Sequence, residues 1–142
     1  MVVEGAVAVV TGGSGGIGAA LSEGLADSGA RVVVVNIAGE EATTLAKRIG
    51  PARAIGATAD VSSTDDLRAV LALAEERFGP VDLFFANAGI VGEHGLGESE
   101  EEWQRVIDVN VLAHVRAARL LLPAGSAGAP VISWRRHRRR DC

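Results

Sequence analysis

An apolar run from Val7 to Val10 leads directly into Thr11-Gly12-Gly13-Ser14-Gly15-Gly16-Ile17-Gly18, and a stretch with helix-compatible apolar spacing, Ile17 to Ala26, follows. Glycines in such a place let backbone approach a pyrophosphate, while the free N–H groups and dipole of a helix N-terminus attract its charge. A plain tight turn is the alternative, and the position between strand and helix is what favours phosphate. Further along stand Asp60-Val61, Asn87-Ala88-Gly89 and Asn110. Taken alone, Asp60 reads as a helix-entry or turn acid and Asn87-Ala88-Gly89 as a strand-ending turn. Asn110 is a poor choice for a helix interior on propensity. His94 and His114 lack partners at ligand spacing, so no metal site is expected. The chain contains no Tyr, and Lys47 is its single lysine, which limits the acid–base chemistry open to it.

The elements that must hold these residues alternate in type. Strands are expected at Val7 to Val10, Val32 to Val35, Ala54 to Ala59 and Val81 to Ala86. Helices are expected at Ile17 to Ala26, at Glu40 to Ile49 with Gly50-Pro51 as its stop, and after Ser63 or Thr64 as cap. In that third helix Leu67, Val70, Leu71, Leu73, Ala74 and Phe78 form the buried face, and Gly79-Pro80 ends it. A long helix is expected from about Glu100 to Leu122. Its residues Trp103, Val106, Ile107, Val111, His114 and Ala118 fall roughly on one face and read as core. Strands one, two and four show no polar alternation, the mark of strands buried on both faces. The fold class is α/β, a doubly wound parallel sheet with strand order 3-2-1-4.

Thr11, Gly12, Gly16, Ile17 and Gly18 spell T-G-x-x-x-G-I-G, and Asp60-Val61, Asn87-Ala88-Gly89 and Asp108-Val109-Asn110-Val111 follow in order. In these four motifs the chain resembles the classical short-chain dehydrogenases/reductases, over about Val3 to Pro123. The resemblance implies the N-terminal half of a Rossmann fold and an NAD(P)-dependent oxidoreductase that moves hydride between a nicotinamide and an alcohol or carbonyl substrate. It implies a cofactor set of Gly12, Ser14, Gly16, Ile17, Gly18, Asn36, Asp60, Val61, Asn87, Ala88 and Gly89. Within that set Asp60 would meet the adenine amino group, and Asn87 would tie neighbouring strands while the small residues beside it leave room for the dinucleotide. The catalytic residue it identifies is Asn110, whose backbone would kink the helix and bind a water of the proton relay. It also implies that part of the Trp103 to Ala118 stripe is a subunit interface.

Cofactor choice turns on the end of the second strand. Family members preferring NAD usually carry Asp there, because a carboxylate accepts from the ribose hydroxyls and repels a 2′-phosphate. This chain has Asn36, which keeps the hydrogen bond without the repulsion. Gly15 and Ile37 stand where members preferring NADP generally place a cation, so NAD is expected and NADP is less favoured. The family's catalytic Tyr, and the Lys four residues after it, have no counterpart. Lys47 falls in the second helix and cannot serve, and the surroundings of Ser133 no longer match the family's serine. Cofactor binding with little or no turnover is therefore expected, and a non-catalytic dinucleotide-binding or interaction module is the competing reading.

Over 142 residues, 48% hydrophobic and 23% charged, the composition fits one domain with a real core and excludes disordered and disulfide-scaffold classes. The net charge of −4 divides unevenly, since the last eight residues carry five arginines against Asp141. An acidic body argues against nucleic acid or an anionic membrane as its partner, and the basic tail reads as a solvated end. The lone Cys142, the absence of a signal-like start and the lack of any ~20-residue apolar stretch lead to a cytoplasmic protein as the expectation. Residues 1–123 are expected to form an incomplete dinucleotide-binding domain. Residues 124–142 form a flexible tail outside the family pattern, with a possible fifth strand at Val131 to Trp134. The abrupt change at Pro123 suggests a shifted reading frame or a fragment, so Val81 to Phe85 and the stripe through Val111 should be partly exposed and prone to self-association.

Overall fold

The computed structural model describes residues 3–92, 97 and 99–122. The element order is β1 (Val7–Thr11), α1 (Gly16–Asp27), β2 (Arg31–Asn36), α2 (Gly39–Ile49), β3 (Ala54–Thr58), α3 (Thr64–Arg77), β4 (Leu83–Phe85), α4 (Glu100–Ile107), a π-helical turn (Asp108–Leu112) and α5 (Ala113–Leu121). The four strands form one sheet in the order β3-β2-β1-β4, and every pairing is parallel. This is the doubly wound arrangement expected from the continuous valine runs, and its two faces explain those runs residue by residue. Ala8, Val10, Val32 and Val34 pack with Leu25 and Ala26 of α1 and with Ala42 and Leu45 of α2. Val7, Val9, Val33 and Val35 pack on the other side with Leu67, Val70 and Ala74 of α3 and with Ala113 and Ala117 of α5. Successive strand residues point to opposite faces, so a strand covered on both sides has no position left for a polar residue.

The helix ends follow local chemistry. Ser63 caps α3, its Oγ accepting from the Asp66 N–H at 3.2 Å, with Asp65 and Asp66 in the first turn. Ser99 and Glu102 form a reciprocal capping box at the start of α4, with Ser99 N–H donating to Glu102 Oε2 at 2.8 Å and Glu102 N–H to Ser99 Oγ at 3.3 Å.

Three expectations change. β4 is shorter than Val81 to Ala86, because side chains take up backbone N–H groups at both ends, although Asp82 N–H still donates to Val7 O at 2.9 Å. Val7 N–H donates to Asp82 Oδ2 at 3.1 Å before the strand, and Asn87 N–H turns to Thr11 Oγ1 at 3.1 Å after it. Leu83 and Phe84 are buried, each inserted into one of the two cores, so exposure at this edge is confined to its flanks. The stripe in the last helix is not core. Trp103, Ile107 and Val111 are 41%, 42% and 54% exposed, and the buried residues are Val109, Ala113 and Ala117. α4 buries no residue even before the π-helical turn, so Trp103 and Ile107 are exposed for want of a covering element, and the turn then adds a residue that rotates everything beyond it by about 100°. The possible strand at Val131 to Trp134, Ser133, His94 and the arginine-rich end lie outside the described residues.

Candidate functional site

At the carboxyl ends of the strands the glycine turn and the loop after β4 are joined by hydrogen bonds. Thr11, 2% exposed, donates from Oγ1 to Phe85 O at 3.1 Å and accepts there from the N–H groups of Asn87 and Ala88 at 3.1 and 3.2 Å. Asn87 Nδ2 donates in return to Thr11 O at 3.1 Å and Gly12 O at 3.3 Å. Gly12 has φ +62, and a Cβ there would lie 2.9 Å from Ala88 Cα, so only glycine lets these two segments touch. At Gly18 the objection is space alone, since a Cβ would meet Gly12 O at 2.0 Å and Asn87 Nδ2 at 2.6 Å. The turn is pinned from behind as well, by Gly13 N–H to Val35 O at 2.9 Å and Ser22 Oγ to Gly13 O at 3.0 Å. The N-cap Gly15 offers no side-chain acceptor and the first turn of α1 holds no acid, which leaves the positive end of the helix dipole uncompensated by its own residues.

A cleft of ≈ 140 Å³ opens beside this junction, lined by Gly12, Asn36, Asp60, Val61, Ala88 and Gly89 among others. Six residues named from the sequence therefore share one cavity. Asp60 Oδ1 accepts from Ser62 Oγ at 2.6 Å and Ser62 N–H at 2.8 Å. Those two bonds hold the Asp60 carboxyl below the usual carboxylate range, with smaller help from the charges of Arg105 and Arg116. The cleft thus presents an ionised acceptor at neutral pH. Ile17 is 80% exposed at the mouth of the turn, and Ser14, Asn36 and Glu41 meet through their side chains where β2 ends.

Asn110 occupies the π-helical turn, the local distortion that the motif implied. Its Oδ1 accepts from Ile90 N–H at 2.9 Å and its Nδ2 donates to Ile90 O at 2.7 Å. The side chain therefore clasps the loop that follows Asn87-Ala88-Gly89, and its Oδ1 would lie 3.3 Å from a Cβ on Gly89. The turn has its own clamp. Arg116 Nη1 donates to Asp108 O at 3.0 Å and Nη2 to Asp108 Oδ1 at 2.6 Å, and this hydrogen bond keeps the Asp108 carboxyl below its ordinary value.

Sequence reasoning missed Ser62, Arg105, Glu41 and Arg116. Arg105 lines the cleft from α4, but it belongs to no motif, and nothing local shows that α4 crosses the strand ends there. Ser62 carried a signal, since a serine two residues after an acid commonly closes an Asx-type turn. Lys47 lies in the last turn of α2 and does not line the cleft. His114 is half-buried, and its Nδ1 has no hydrogen-bond partner among the described residues. No cluster of three or more metal-ligating side chains occurs among the described residues, and no described helix is long and apolar enough to cross a membrane.

The family model described as short chain dehydrogenase matches residues 6–132. The chain is 39% identical over 133 residues to 3-hydroxyacyl-CoA dehydrogenase type-2 of Bos taurus, covering 89% of this chain and 50% of that protein. It is 39% identical over 127 residues to momilactone A synthase of Oryza sativa subsp. japonica, covering 84% of this chain and 46% of that one. Among solved structures, 3-ketoacyl-(acyl-carrier-protein) reductase from Brucella melitensis complexed with NADH superposes with a TM-score of 0.80 at 34% identity, over 85% of this chain and 50% of that one. The chain spans about half the length of the relatives it matches.

Proposed function

The chain belongs to the short-chain dehydrogenase/reductase family, and from that premise we propose that its cleft binds NAD as the cofactor half of an oxidoreductase acting on alcohol or carbonyl groups. The observation that carries this reading is the bonding of the glycine turn to Asn87 and Ala88 beside a cavity that reaches Asp60. The residues fit the group. Gly12, Gly16, Ile17 and Gly18 leave backbone and an uncompensated helix N-terminus for a pyrophosphate, with Ser14 in the same turn. Asp60 and Val61 would supply a carboxylate acceptor and an apolar wall for adenine, Asn36 would meet the ribose, and Ala88 and Gly89 would form the floor for the nicotinamide. Such a group, when bound, would supply hydride donor or acceptor chemistry.

What these residues would contribute is orientation and a floor of small side chains. Asn110 holds the Ile90 loop beside that floor and sits in the π-helical turn, where the family resemblance would place a relay water. Proton exchange with a substrate oxygen has no Tyr to perform it in these 142 residues. This observation favours a second reading, a dinucleotide-binding module without turnover. NAD is preferred to NADP because neither Gly15 nor Ile37 offers a cation to an extra phosphate. The lone cysteine suits a reducing, cytoplasmic setting, and the exposed Trp103, Ile107, Val111 and Val115 suit self-association into a homo-oligomer.

Calorimetric titration with NADH and NADPH tests the reading, followed by NADH formation from a panel of secondary alcohols. Saturable binding that is tighter for NADH, with no turnover, is the expected result. Failure to bind either dinucleotide overturns the cofactor assignment, and robust turnover overturns the module reading.

A further inference from the structure

Glu41 belongs to no motif and lines a neighbouring groove rather than the cleft, yet through Asn36, which does line the cleft, it completes a triangle where β2 ends. Ser14 Oγ donates to Glu41 Oε2 at 3.4 Å, Asn36 Nδ2 donates to the same oxygen at 3.3 Å, and Asn36 Nδ2 also donates to Ser14 Oγ. The amide's other end is held too, with Ala38 N–H donating to Asn36 Oδ1 at 3.4 Å. Three separate segments meet here: the glycine turn, the end of β2 and the first turn of α2. The position of Glu41 is fixed by backbone. A Cβ at Gly39, the first residue of α2, would stand 1.7 Å from Thr58 Oγ1, so the helix start is pressed against the end of β3. Arg48, the cation that lines the neighbouring groove with Ser14 and Glu41, is engaged by Glu23 at 2.5 Å.

We infer that Glu41 is the residue that makes this cleft discriminate against a 2′-phosphorylated dinucleotide, supplying the charge that Asn36 lacks. The inference rests on the dinucleotide reading above. An unrestrained asparagine is ambivalent at a ribose, because its oxygen accepts from a hydroxyl while its NH₂ can donate to a phosphate. A carboxylate only accepts, so Glu41 selects the amide orientation that turns nitrogen towards itself. With Ser14 it takes both amide hydrogens, leaving no Asn36 donor for a phosphate. Its own negative charge, one hydrogen bond from the ribose-binding amide, repels a phosphate dianion placed beside that amide.

The test is calorimetric titration of the full chain and of Glu41→Gln and Glu41→Lys with NADH and NADPH, and with ADP and 2′,5′-ADP to isolate the adenosine end. Glu41 is exposed, so these variants should fold, and thermal melts verify it. Glu41→Gln should lower the ratio of the NADPH to the NADH dissociation constant roughly tenfold, with a parallel fall for the ADP pair and a larger one in Glu41→Lys. The wild-type ratio should narrow as salt rises, and that salt dependence should disappear in Glu41→Gln, a response that a purely structural role would not give. A fall of about threefold or more supports the inference, and a smaller one with normal NADH binding by the wild type overturns it. A wild type that binds neither NADH nor ADP overturns the dinucleotide reading itself.

Discussion

Around the end of β1, Thr11 is 2% exposed, Gly13 is bonded to β2 and Gly18 has no room for a methyl group. Across the same cleft α4 buries no residue, and Trp103 and Ile107 are 41% and 42% exposed. The first region is fixed by sheet backbone and close glycine contacts. The second is held by a few separable side-chain bonds, Ser99 with Glu102, Asn110 with Ile90 and Arg116 with Asp108. A site can thus be rigid where it grips the invariant part of a ligand and softer where the chemistry differs between relatives, because local opening follows local contact density.

The strongest way to break this contrast is Gly18→Ala. With a Cβ 2.0 Å from Gly12 O, it should cost about 3 kcal/mol or more in denaturant unfolding. Gly15→Ala, which meets nothing within 4 Å, should stay within about 0.5 kcal/mol. Equal costs would show that the turn is not the rigid partner. Asn110→Ala should cost about 2 kcal/mol by orphaning both Ile90 backbone groups. Its signature should be local, with faster hydrogen exchange at the Ile90 amide and little change at β1.

Ser62→Ala has a smaller, pH-dependent effect. The Asp60 carboxyl is depressed in the fold chiefly by Ser62. Its contribution is therefore present above the unfolded value of about 3.9 and is lost as pH falls through the lower folded value. Ser62→Ala should raise the Asp60 pKa, measured by NMR titration, and lower neutral-pH stability by under about 1 kcal/mol. Stability should then decline less steeply below pH ~4. The smallest effect on stability is expected from Ile107→Glu with Val111→Glu, within about 0.5 kcal/mol of the parent. Sedimentation velocity should show reduced self-association, and a large stability loss instead would place the stripe in the core after all.

Val32 to Val35 announced a central strand, and Ser63 with Asp65 and Asp66 announced a capped helix, because propensity and capping act within a few residues. The glycine turn, Asp60 and Asn87 were legible for a related reason: each sits where a strand ends, and parallel sheets put strand ends together. Glu41 and Arg105 were not legible. Their roles depend on where α2 and α4 lie against the sheet, which is decided by contacts such as Gly39 against Thr58. The exposure of Ile107 escaped because nothing local shows that α4 is left uncovered, and that of Val111 because the π-helical turn lies in the middle of an otherwise regular pattern. Asn110 marked its place without revealing that it would change the helical phase.

The strand order has a consequence for how the molecule is made. β1 precedes β2, β3 and β4 in the chain yet lies inside the sheet. Val7 finds Arg31 on one side, but on the other Ala8 must wait for Leu83. None of the pairings is a hairpin, so each closes a long loop and folding is dominated by non-local contacts. At typical translation rates β1 leaves the ribosome with one edge bare for on the order of seconds. The Asn87 bonds that brace the glycine turn cannot form before then, so a turn made ahead of most of the sheet is among the last parts to reach its working shape.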